Sequence, residues 1–362
     1  MIRYDVAIIG AGIAGAGLAA EIAPHCSVLM LEGEDQPGYH STGRSAAYWS
    51  ESYGGPAIQP LSSASGHVLR AGGFLDPLGA LQVGRADDRG RMDAYIARYA
   101  DCGVAMNEVD PHTLVSGLRD DWVLGLYEPS SSSIDVGGVH GQALAAAKRA
   151  GAVLTTRARM IAARREGGDW IIETTAGNFC AGILVNAAGA WADEAASMAG
   201  VHPLGITPYR RTVVQLRTDP VVPHGIPHVS DFEGTFYFKP EAGGKLWLSP
   251  HDETPVEPHD VAPEELDVAI AIDRFEHVVD WRVAGVERRW AGLRSFAPDR
   301  LPVYGFAADC PSFFWCVGQG GFGIQTAPAA SAVAAALLLG HAPADFVANI
   351  DPAHYRADRF KG

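Results

Sequence analysis

The sequence predicts an α/β fold in which two domains are interleaved along the chain. Its length of 362 residues predicts two domains, at about 100–200 residues per domain, and is sufficient for a substantial core. Glycine-rich clusters lie at residues 10–17, around Gly189 and at 318–323. Each cluster follows a strand-like apolar run and precedes an alanine-rich helical run. We therefore expect three separated segments to meet around one extended ligand.

The N-terminal cluster belongs to a strand–turn–helix unit. Residues 4–9 form a continuous apolar run typical of a strand buried in a parallel sheet. A Gly-x-Gly-x-x-Gly motif begins at Gly10, and residues 13–23 have the composition of a helix. A second predicted strand, residues 27–31, ends at Glu32. This order predicts a Rossmann-like dinucleotide-binding domain.

Each residue of this motif has a physical task. Gly10 permits the tight turn, Gly12 lets the backbone approach a pyrophosphate, and Gly15 lets the helix pack against the strand. The helix N-terminus offers free N–H groups to the phosphates. A carboxylate at Glu32 suits ribose hydroxyls and disfavours a 2′-phosphate, so FAD or NAD is favoured over NADP. The candidate residues in this segment are Gly10, Gly12, Ile13, Ala14, Gly15 and Glu32.

Composition excludes several other classes of protein. The formal net charge is −14, which argues against a nucleic-acid partner because a phosphate backbone requires clustered Lys and Arg. The 5 cysteines are scattered without a Cys-x-x-Cys pair, so we expect a reducing compartment, no disulfide framework and no metal site. No apolar run is long enough to span a bilayer. We predict a cytoplasmic protein without a transmembrane segment, and peripheral membrane association stays open.

Four short motifs carry a resemblance to a known family. They are HSTGRSAA at 40–47, NAAGAW at 186–191, WAGLRSF at 290–296 and QGGFGIQT at 319–326. Together they resemble the FAD-dependent D-amino-acid oxidase family, and most closely the bacterial D-amino-acid dehydrogenases of the D-arginine dehydrogenase type. The resemblance implies a glutathione-reductase-like FAD-binding domain and an α+β substrate domain built on an antiparallel sheet.

The resemblance also implies which further residues contact FAD. We expect the cofactor to be non-covalent, because no cysteine stands near Gly292 and because the closest relatives keep a histidine at the position of His40 with free FAD. A helix N-terminus beside the third glycine cluster would stabilise negative charge on a reduced flavin. The implied contacts are Ser41, Thr42, Gly43, Arg44, Ser45, Ala46, Ala47, Ala187, Ala188, Gly189, Trp191, Gly292, Gly320, Gly321, Phe322, Gly323, Ile324 and Gln325.

A carboxylate clamp is expected at Arg294. Its planar guanidinium can bind a carboxylate with two hydrogen bonds, and its neighbours are small and apolar. Arg211 matches a second carboxylate contact in the family, but strand alternation leaves open whether Arg210 or Arg211 faces the site. The resemblance adds three residues near the substrate: Tyr53 on a mobile loop at 45–54, Tyr237, and Gln325 near the flavin and the substrate amine.

The expected reaction is oxidative deamination of a D-amino acid. Hydride transfer from Cα to flavin N5, followed by hydrolysis of the imino acid, would yield a 2-oxo acid and ammonia. The resemblance places Leu81 where relatives that prefer cationic substrates carry a glutamate, which favours a neutral or hydrophobic side chain of the substrate. The electron acceptor, whether a quinone, an electron carrier or O2, stays open.

Three alternatives also stay open. The first is oxidation of a secondary amine, such as an N-substituted glycine or a cyclic imino acid. The second is a 2-hydroxy-acid dehydrogenase, which would usually require a catalytic histidine. No histidine stands in an obviously matched position. The third is a flavoprotein without enzymatic activity.

The order of the motifs predicts how the two domains are interleaved. The FAD-binding domain is expected at residues 1–78, 134–200 and 288–362. The substrate-binding domain is expected at 79–133 and 201–287, where strand-like runs alternate and favour an antiparallel sheet.

Overall fold

The computed structural model describes residues 2–360. The strands are β1 (Arg3–Ile9), β2 (Val28–Leu31), β3 (Tyr48–Trp49), β4 (Leu75–Pro77), β5 (Ala80–Gly84), β6 (Asn107–Val109), β7 (Leu124–Glu128), β8 (Ser132–Ile134), β9 (Val153–Thr155), β10 (Met160–Glu166), β11 (Asp169–Thr174), β12 (Gly177–Asn186), β13 (Thr207–Asp219), β14 (His228–Asp231), β15 (Tyr237–Glu241), β16 (Lys245–Ser249), β17 (Thr254–Pro255), β18 (Arg282–Phe296), β19 (Val303–Phe306) and β20 (Phe313–Val317). The α-helices are α1 (Ile13–Ile22), α2 (Gln59–Ala71), α3 (Arg89–Arg98), α4 (Val136–Arg149), α5 (Ala192–Met198), α6 (Glu265–Glu276) and α7 (Ala327–Leu339). Within residues 2–360, none of these helices has the length and apolar character needed to cross a bilayer.

The first sheet is the predicted Rossmann-like unit. Its strands lie in the order β10-β11-β12-β1-β2-β9, and β20 pairs with β12 and β19. β1 lies parallel to both β2 and β12, and the side chains of its second half are buried. Helices α1 and α7 pack on one face through residues such as Leu18 and Val333. The carboxyl ends of β1, β12 and β20 therefore carry the three glycine clusters to one edge.

The second sheet is mainly antiparallel, as expected. Its order is β17-β13-β16-β15-β14-β5-β7-β6, and β18 pairs with β13 from Thr207–Phe296 to Asp219–Arg282. Helix α6 covers this sheet, and Phe275 enters its core. The predicted α/β architecture, with a second antiparallel sheet, is thus confirmed.

The structure also contains a small third sheet. It consists of β3, β8 and β4, in the order β3-β8-β4. The division of the chain into five segments remains our proposal. Within it, β18 belongs to the second sheet up to Phe296, so the boundary that we placed between residues 287 and 288 falls inside a strand.

The turn between β1 and α1 leaves no room for side chains. Gly10 has a φ of +99°, and a Cβ there would lie 2.5 Å from the carbonyl oxygen of Ala187. A Cβ at Gly15 would lie 2.0 Å from the carbonyl oxygen of Gly10. The first two glycine clusters are therefore in direct backbone contact, and side chains would force them apart.

We predict opposite effects for alanine at two helical glycines. Gly15→Ala in α1 should lower the free energy of unfolding by about 2 kcal/mol or more, because its Cβ meets backbone. Gly141→Ala in α4 should raise it by roughly 0.5–1 kcal/mol, because the added Cβ meets nothing within 4 Å. Urea unfolding followed by circular dichroism measures both, and equal effects would contradict the packing described.

Candidate active site

One long cleft runs between the two large sheets. Its volume of about 630 Å³ lies in the range of small-molecule and cofactor sites. The first sheet and its loops contribute Gly10, Gly12, Ile13, Ala14, Glu32, Ala187, Ala188, Gly189 and Trp191. The loop after β2 contributes Ser41, Thr42, Arg44, Ser45, Ala46 and Ala47. The second sheet and the C-terminal segment contribute Arg211, Tyr237, Gly292, Arg294, Gly320, Gly321, Phe322, Gly323 and Ile324, and Tyr53 joins them from the loop after β3.

The carboxylate of Glu32 is held by backbone groups. Its Oε2 accepts a hydrogen bond from the N–H of Ala11 at 2.9 Å, and its Oε1 accepts one from the N–H of Glu34 at 3.0 Å. These bonds fix the side chain at the carboxyl end of β2 and leave lone pairs on both oxygens. Because Glu32 lines the cleft, it is oriented to accept further hydrogen bonds from a ligand such as a ribose.

The loop between residues 38 and 47 ties the two sheets together. Thr42 Oγ1 accepts the N–H of Ile13 at 3.0 Å, at the start of α1, and Ser41 Oγ donates to the carbonyl of Leu293 at 2.7 Å. The Arg44 guanidinium donates to the carbonyl oxygens of Val261 and Ala291. The predicted loop contacts are therefore rigidly placed along the cleft.

Gly15 and Gly43 do not line the cleft, although both were expected to contact the cofactor. Gly15 packs against Gly10, as described above. Gly43 donates its N–H to the carbonyl of Gly38 at 2.7 Å, and a Cβ there would lie 2.7 Å from the same oxygen. Gly15, in α1, and Gly43, in the turn after β2, pack against backbone next to residues that form the cleft wall.

The C-terminal glycines allow close approach of aromatic and charged side chains. A Cβ at Gly320 would lie 2.2 Å from the ring of Phe296. A Cβ at Gly321 would lie 2.4 Å from the hydroxyl of Tyr53 and 3.2 Å from the guanidinium carbon of Arg294. Residues 319–324 therefore lie directly against the side chains of the second sheet.

Two arginines share this part of the cleft. Arg211 is 3% exposed. Its Nε donates to the carbonyl of Asp252 at 2.7 Å, and its Nη2 donates to Glu253 at 3.2 Å. Its Nη1 has no partner among residues 2–360. Burial and the positive charge of Arg294 lower the pKa of Arg211 to about 10. Within the described chain Arg294 makes no hydrogen bond or ion pair, and its guanidinium carbon lies 5.9 Å from the centre of the Tyr53 ring.

The side chains of the two adjacent arginines lie on opposite faces of β13. Arg210 is directed away from the cleft and pairs with Glu264 at 2.5 Å and Asp267 at 2.8 Å. Arg211, the next residue along β13, lines the cleft. Alternation along the strand produces this difference, and Arg211 is the candidate clamp.

A column of aromatic rings lines the cleft beside these arginines. The hydroxyl of Tyr237 is buried and has no partner among residues 2–360. Its ring stacks on His228 with 5.3 Å between centroids, and His228 stacks on Tyr48 at 4.1 Å. Tyr237 thus lines the cleft with a hydroxyl that no described residue uses.

Sequence reasoning missed two histidines in the cleft, His228 and His251. Burial and the charge of Lys239 lower the pKa of His228 to about 3. Burial and the charges of Arg211 and Arg294 lower the pKa of His251 to about 2. Both imidazoles are therefore neutral at physiological pH. No local motif marks either histidine: His228 lies on β14, which pairs with the distant strand β5, and His251 lies in the loop after β16.

Gln325, which the resemblance places near the flavin and the substrate amine, lies behind the wall of the cleft. Gln325 is 2% exposed and does not line the cleft. Its Nε2 donates to the carbonyl of Tyr53 at 3.0 Å and to Ser62 Oγ at 2.8 Å, and its Oε1 accepts the N–H of Ser50 at 3.3 Å. Both ends of the amide are thus used to hold the segment that carries Tyr53.

The expected apolar wall at Leu81 is also corrected. Leu81 is fully buried in the core of the second sheet, and its neighbour Gln82 lines the cleft instead. Ser230 Oγ donates to Gln82 Oε1 at 3.0 Å. The difference is one residue of register, which reverses the face of a strand and makes this part of the wall polar.

Comparisons with known proteins agree with this geometry. The family model DAO, described as FAD dependent oxidoreductase, matches residues 5–337. Dimethylglycine dehydrogenase of Mus musculus is 27% identical over 266 residues, which cover 67% of this chain and 30% of that protein. Glycine oxidase of Geobacillus kaustophilus is 25% identical over 353 residues, which cover 90% of each protein. The chain thus spans less than a third of the mouse dehydrogenase but nearly all of the glycine oxidase.

Solved structures support the fold. The crystal structure of glycine oxidase from Geobacillus kaustophilus aligns with a TM-score of 0.85 at 22% sequence identity and covers 100% of both chains. That of L-proline dehydrogenase from P. horikoshii aligns with a TM-score of 0.84 at 22% identity and covers 97% of both. The resemblance therefore holds for the family, and the narrower assignment to the D-arginine dehydrogenase type is not supported.

The residues present fit the FAD that the family model describes. The glycines of the first segment leave an open backbone surface, Glu32 has free lone pairs, and α1 begins at the cleft. Trp191 and His40 line the same part of the cleft, with ring centroids 4.5 Å apart. These residues would hold the dinucleotide half of the cofactor, and the segment at 319–324 would lie along the rest.

We predict that Glu32→Ala weakens FAD binding by roughly tenfold to a hundredfold, because hydrogen bonds to a charged group contribute about 1.5–3 kcal/mol. Titration of the apoprotein with FAD, followed by flavin fluorescence, measures the Kd. Glu166→Ala is the control, since Glu166 is exposed at the end of β10 and its removal should leave the Kd unchanged. An unchanged Kd in Glu32→Ala would contradict the predicted contact between Glu32 and the ribose of FAD.

We also predict that the FAD is released on denaturation. The Nε2 of His40 is bonded to Glu34 at 3.0 Å, and the position of Gly292 carries no nucleophile. Acid precipitation of the holoprotein should leave all flavin absorbance in the supernatant. Flavin absorbance that remains in the washed pellet would indicate a covalent bond and contradict this prediction.

Proposed function

Because the chain belongs to the DAO family of FAD dependent oxidoreductases, we propose that it oxidises the carbon–nitrogen bond beside the carboxylate of a small amino acid. One observation carries the proposal: Arg211 and Arg294 line one cleft, the Nη1 of Arg211 has no partner among residues 2–360, and Arg294 makes no hydrogen bond or ion pair among them. The comparisons are compatible with it, since the similar proteins are named for glycine, dimethylglycine and proline.

The electrostatics of the pair favour a carboxylate ligand. Two guanidinium groups in one partly buried cleft repel each other, and this repulsion contributes to the lowered pKa of Arg211. A carboxylate between them would relieve the repulsion and satisfy the free Nη1 of Arg211. Arginine suits this task because its planar fork forms two parallel hydrogen bonds with a carboxylate. The unpartnered hydroxyl of Tyr237 is available as a further donor.

The residues of the chain would act mainly by orientation. Arg211, Arg294 and Tyr237 would fix the carboxylate, which leaves the Cα–H bond of the substrate to be directed at the cofactor. FAD, when bound, supplies the chemistry of accepting a hydride equivalent from that carbon. The rings of Tyr48, Tyr53 and Phe322 would exclude water around the carbon.

Two substrate classes fit this clamp. The first is a D-amino acid, whose oxidation and hydrolysis would give a 2-oxo acid and ammonia. The second is an N-substituted glycine or a cyclic imino acid, which the names of the similar proteins favour equally. The polar wall at Gln82 and Ser230 removes the basis for a preference for hydrophobic side chains. We therefore propose a small substrate in either class.

A 2-hydroxy acid is a weaker candidate. Its oxidation would require a base for the hydroxyl proton, and a good general base has a pKa near the working pH. His228 and His251 line the cleft, but their pKa values of about 3 and about 2 make both weak bases. The site favours an amine substrate, which can enter in its neutral form.

Anaerobic mixing of the FAD-loaded protein with defined compounds tests the proposal. We expect at least one of D-alanine, D-proline, glycine and sarcosine to bleach the flavin absorbance, and D-lactate to leave it unchanged. The pattern among the four separates primary from secondary amines. Bleaching by D-lactate alone would favour a hydroxy-acid dehydrogenase, and no bleaching by any compound would contradict the proposed function.

Removal of one clamp residue gives a sharper prediction. Arg294→Ala should lower kcat/KM for the reactive amine by at least about a hundredfold, because two charge-assisted hydrogen bonds to the carboxylate are lost. Arg288→Ala is the matched control, since Arg288 lies exposed on the same strand, β18, outside the cleft, and kcat/KM should stay within twofold of that of the unaltered protein. Equal effects of the two substitutions would contradict the proposal that Arg294 binds the substrate carboxylate.

A further inference from the structure

A buried carboxylate with no cationic partner lies behind the substrate part of the cleft. Glu128, the last residue of β7, is 4% exposed. No Lys, Arg or His among residues 2–360 forms an ion pair with it. Instead, Ser50 Oγ lies within hydrogen-bonding distance of both of its oxygens, at 3.1 and 3.0 Å, and Ser52 Oγ also donates to it. The N–H of Glu51 donates to its Oε1 at 2.8 Å.

These contacts converge on one short stretch of chain. We call residues 48–55 the tethered segment; Tyr48, Ser50, Ser52, Tyr53, Gly54 and Gly55 of this segment all line the cleft. Two tyrosines of α3 and its C-terminus hold it further: Tyr95 donates to Ser52 Oγ at 3.0 Å, and Tyr99 donates to the carbonyl of Ser52. The resemblance implied a mobile loop here, but this hydrogen bonding is that of a fixed wall.

The tethered segment is held from two sides. Gln325, next to α7, binds Ser50 and Tyr53 from the side of the first sheet. Glu128 binds Ser50, Glu51 and Ser52 from the second sheet. Because the ring of Tyr53 lies beside Arg294, any shift of this segment alters the space at the clamp.

We propose that Glu128 is a positioning residue that fixes the tethered segment and, through it, the Tyr53 ring against the carboxylate clamp. Every hydrogen bond to Glu128 is donated to it, so a carboxylate suits the position better than any neutral side chain. Its charge is felt by its neighbours: burial and the nearby carboxylate raise the pKa of Tyr48 and, similarly, that of Tyr95. A buried carboxylate without a cationic partner is costly, and a functional task would account for its presence.

The test uses Glu128→Gln in the FAD-loaded protein. Glutamine keeps the size and can still accept the N–H of Glu51, but its NH2 group faces serine hydroxyls that now donate. We expect amide hydrogen exchange in residues 48–55 to be faster than in the unaltered protein. KM should rise by roughly fivefold to tenfold while kcat stays within about twofold, because the arrangement of the tethered segment that binds substrate is then only partly populated.

A matched control separates positioning from general stability. Asp193 also accepts several backbone hydrogen bonds, from Leu204, Gly205 and Ile206, but it lies outside the cleft. Asp193→Asn should lower thermal stability while exchange in residues 48–55 and KM stay unchanged. Unchanged exchange and KM in Glu128→Gln, or equal changes in both variants, would overturn the proposal.

The kinetic half of this test rests on the proposed function, whereas the exchange half does not. If no amine reduces the FAD of the unaltered protein, the proposed function fails and amide exchange alone decides whether Glu128 holds the segment. If amines do reduce the FAD and Glu128→Gln changes neither readout, only the role of Glu128 fails.

Discussion

Repulsion between two guanidinium groups in one cleft is the constraint that organises the substrate half of this protein. Arg211 is almost fully buried, and its only anionic contacts are with Asp252 and Glu253, while Arg294 has no ionic partner in the described chain. Such an arrangement costs free energy, and we propose that a bound carboxylate offsets this cost. The antiparallel pairing of β13 and β18, in which Arg211 lies opposite Gly292 and Tyr209 opposite Arg294, fixes both groups on one face.

The rest of the cleft supports this pair from several separate segments. Glycines at 320 and 321 let the C-terminal segment lie against Phe296, Tyr53 and Arg294. The loop at 38–47 forms hydrogen bonds both to the start of α1 and to β18, and it therefore links the two sides of the cleft. Buried polar side chains, Gln325 and Glu128, then fix the wall between them. Positioning is thus distributed over residues that never face the ligand.

Much of the cofactor half could be predicted from sequence because its constraints act on the backbone. A turn that excludes a Cβ, as at Gly10, leaves glycine as the workable choice, and Glu32 follows at a fixed spacing. Less of the substrate half could be predicted from the sequence. One residue of strand register decides whether Leu81 or Gln82 faces the cleft. The side-chain amide of Gln325 is hydrogen-bonded to residues more than 260 positions away in the sequence. The two neutral histidines reach the cleft from β14 and from the loop after β16, and no local sequence pattern predicts this.

Comparison of an amino acid with its carboxamide tests the central claim most directly. The two compounds share the amine and the Cα–H bond and differ only in the charged group that the arginines would bind. The account predicts that flavin reduction by the carboxamide is at least about a hundredfold slower in kcat/KM than by the acid. It also predicts that this difference becomes smaller in Arg294→Ala, where Arg211 remains. Equal reduction by acid and carboxamide in the unaltered protein would contradict the account.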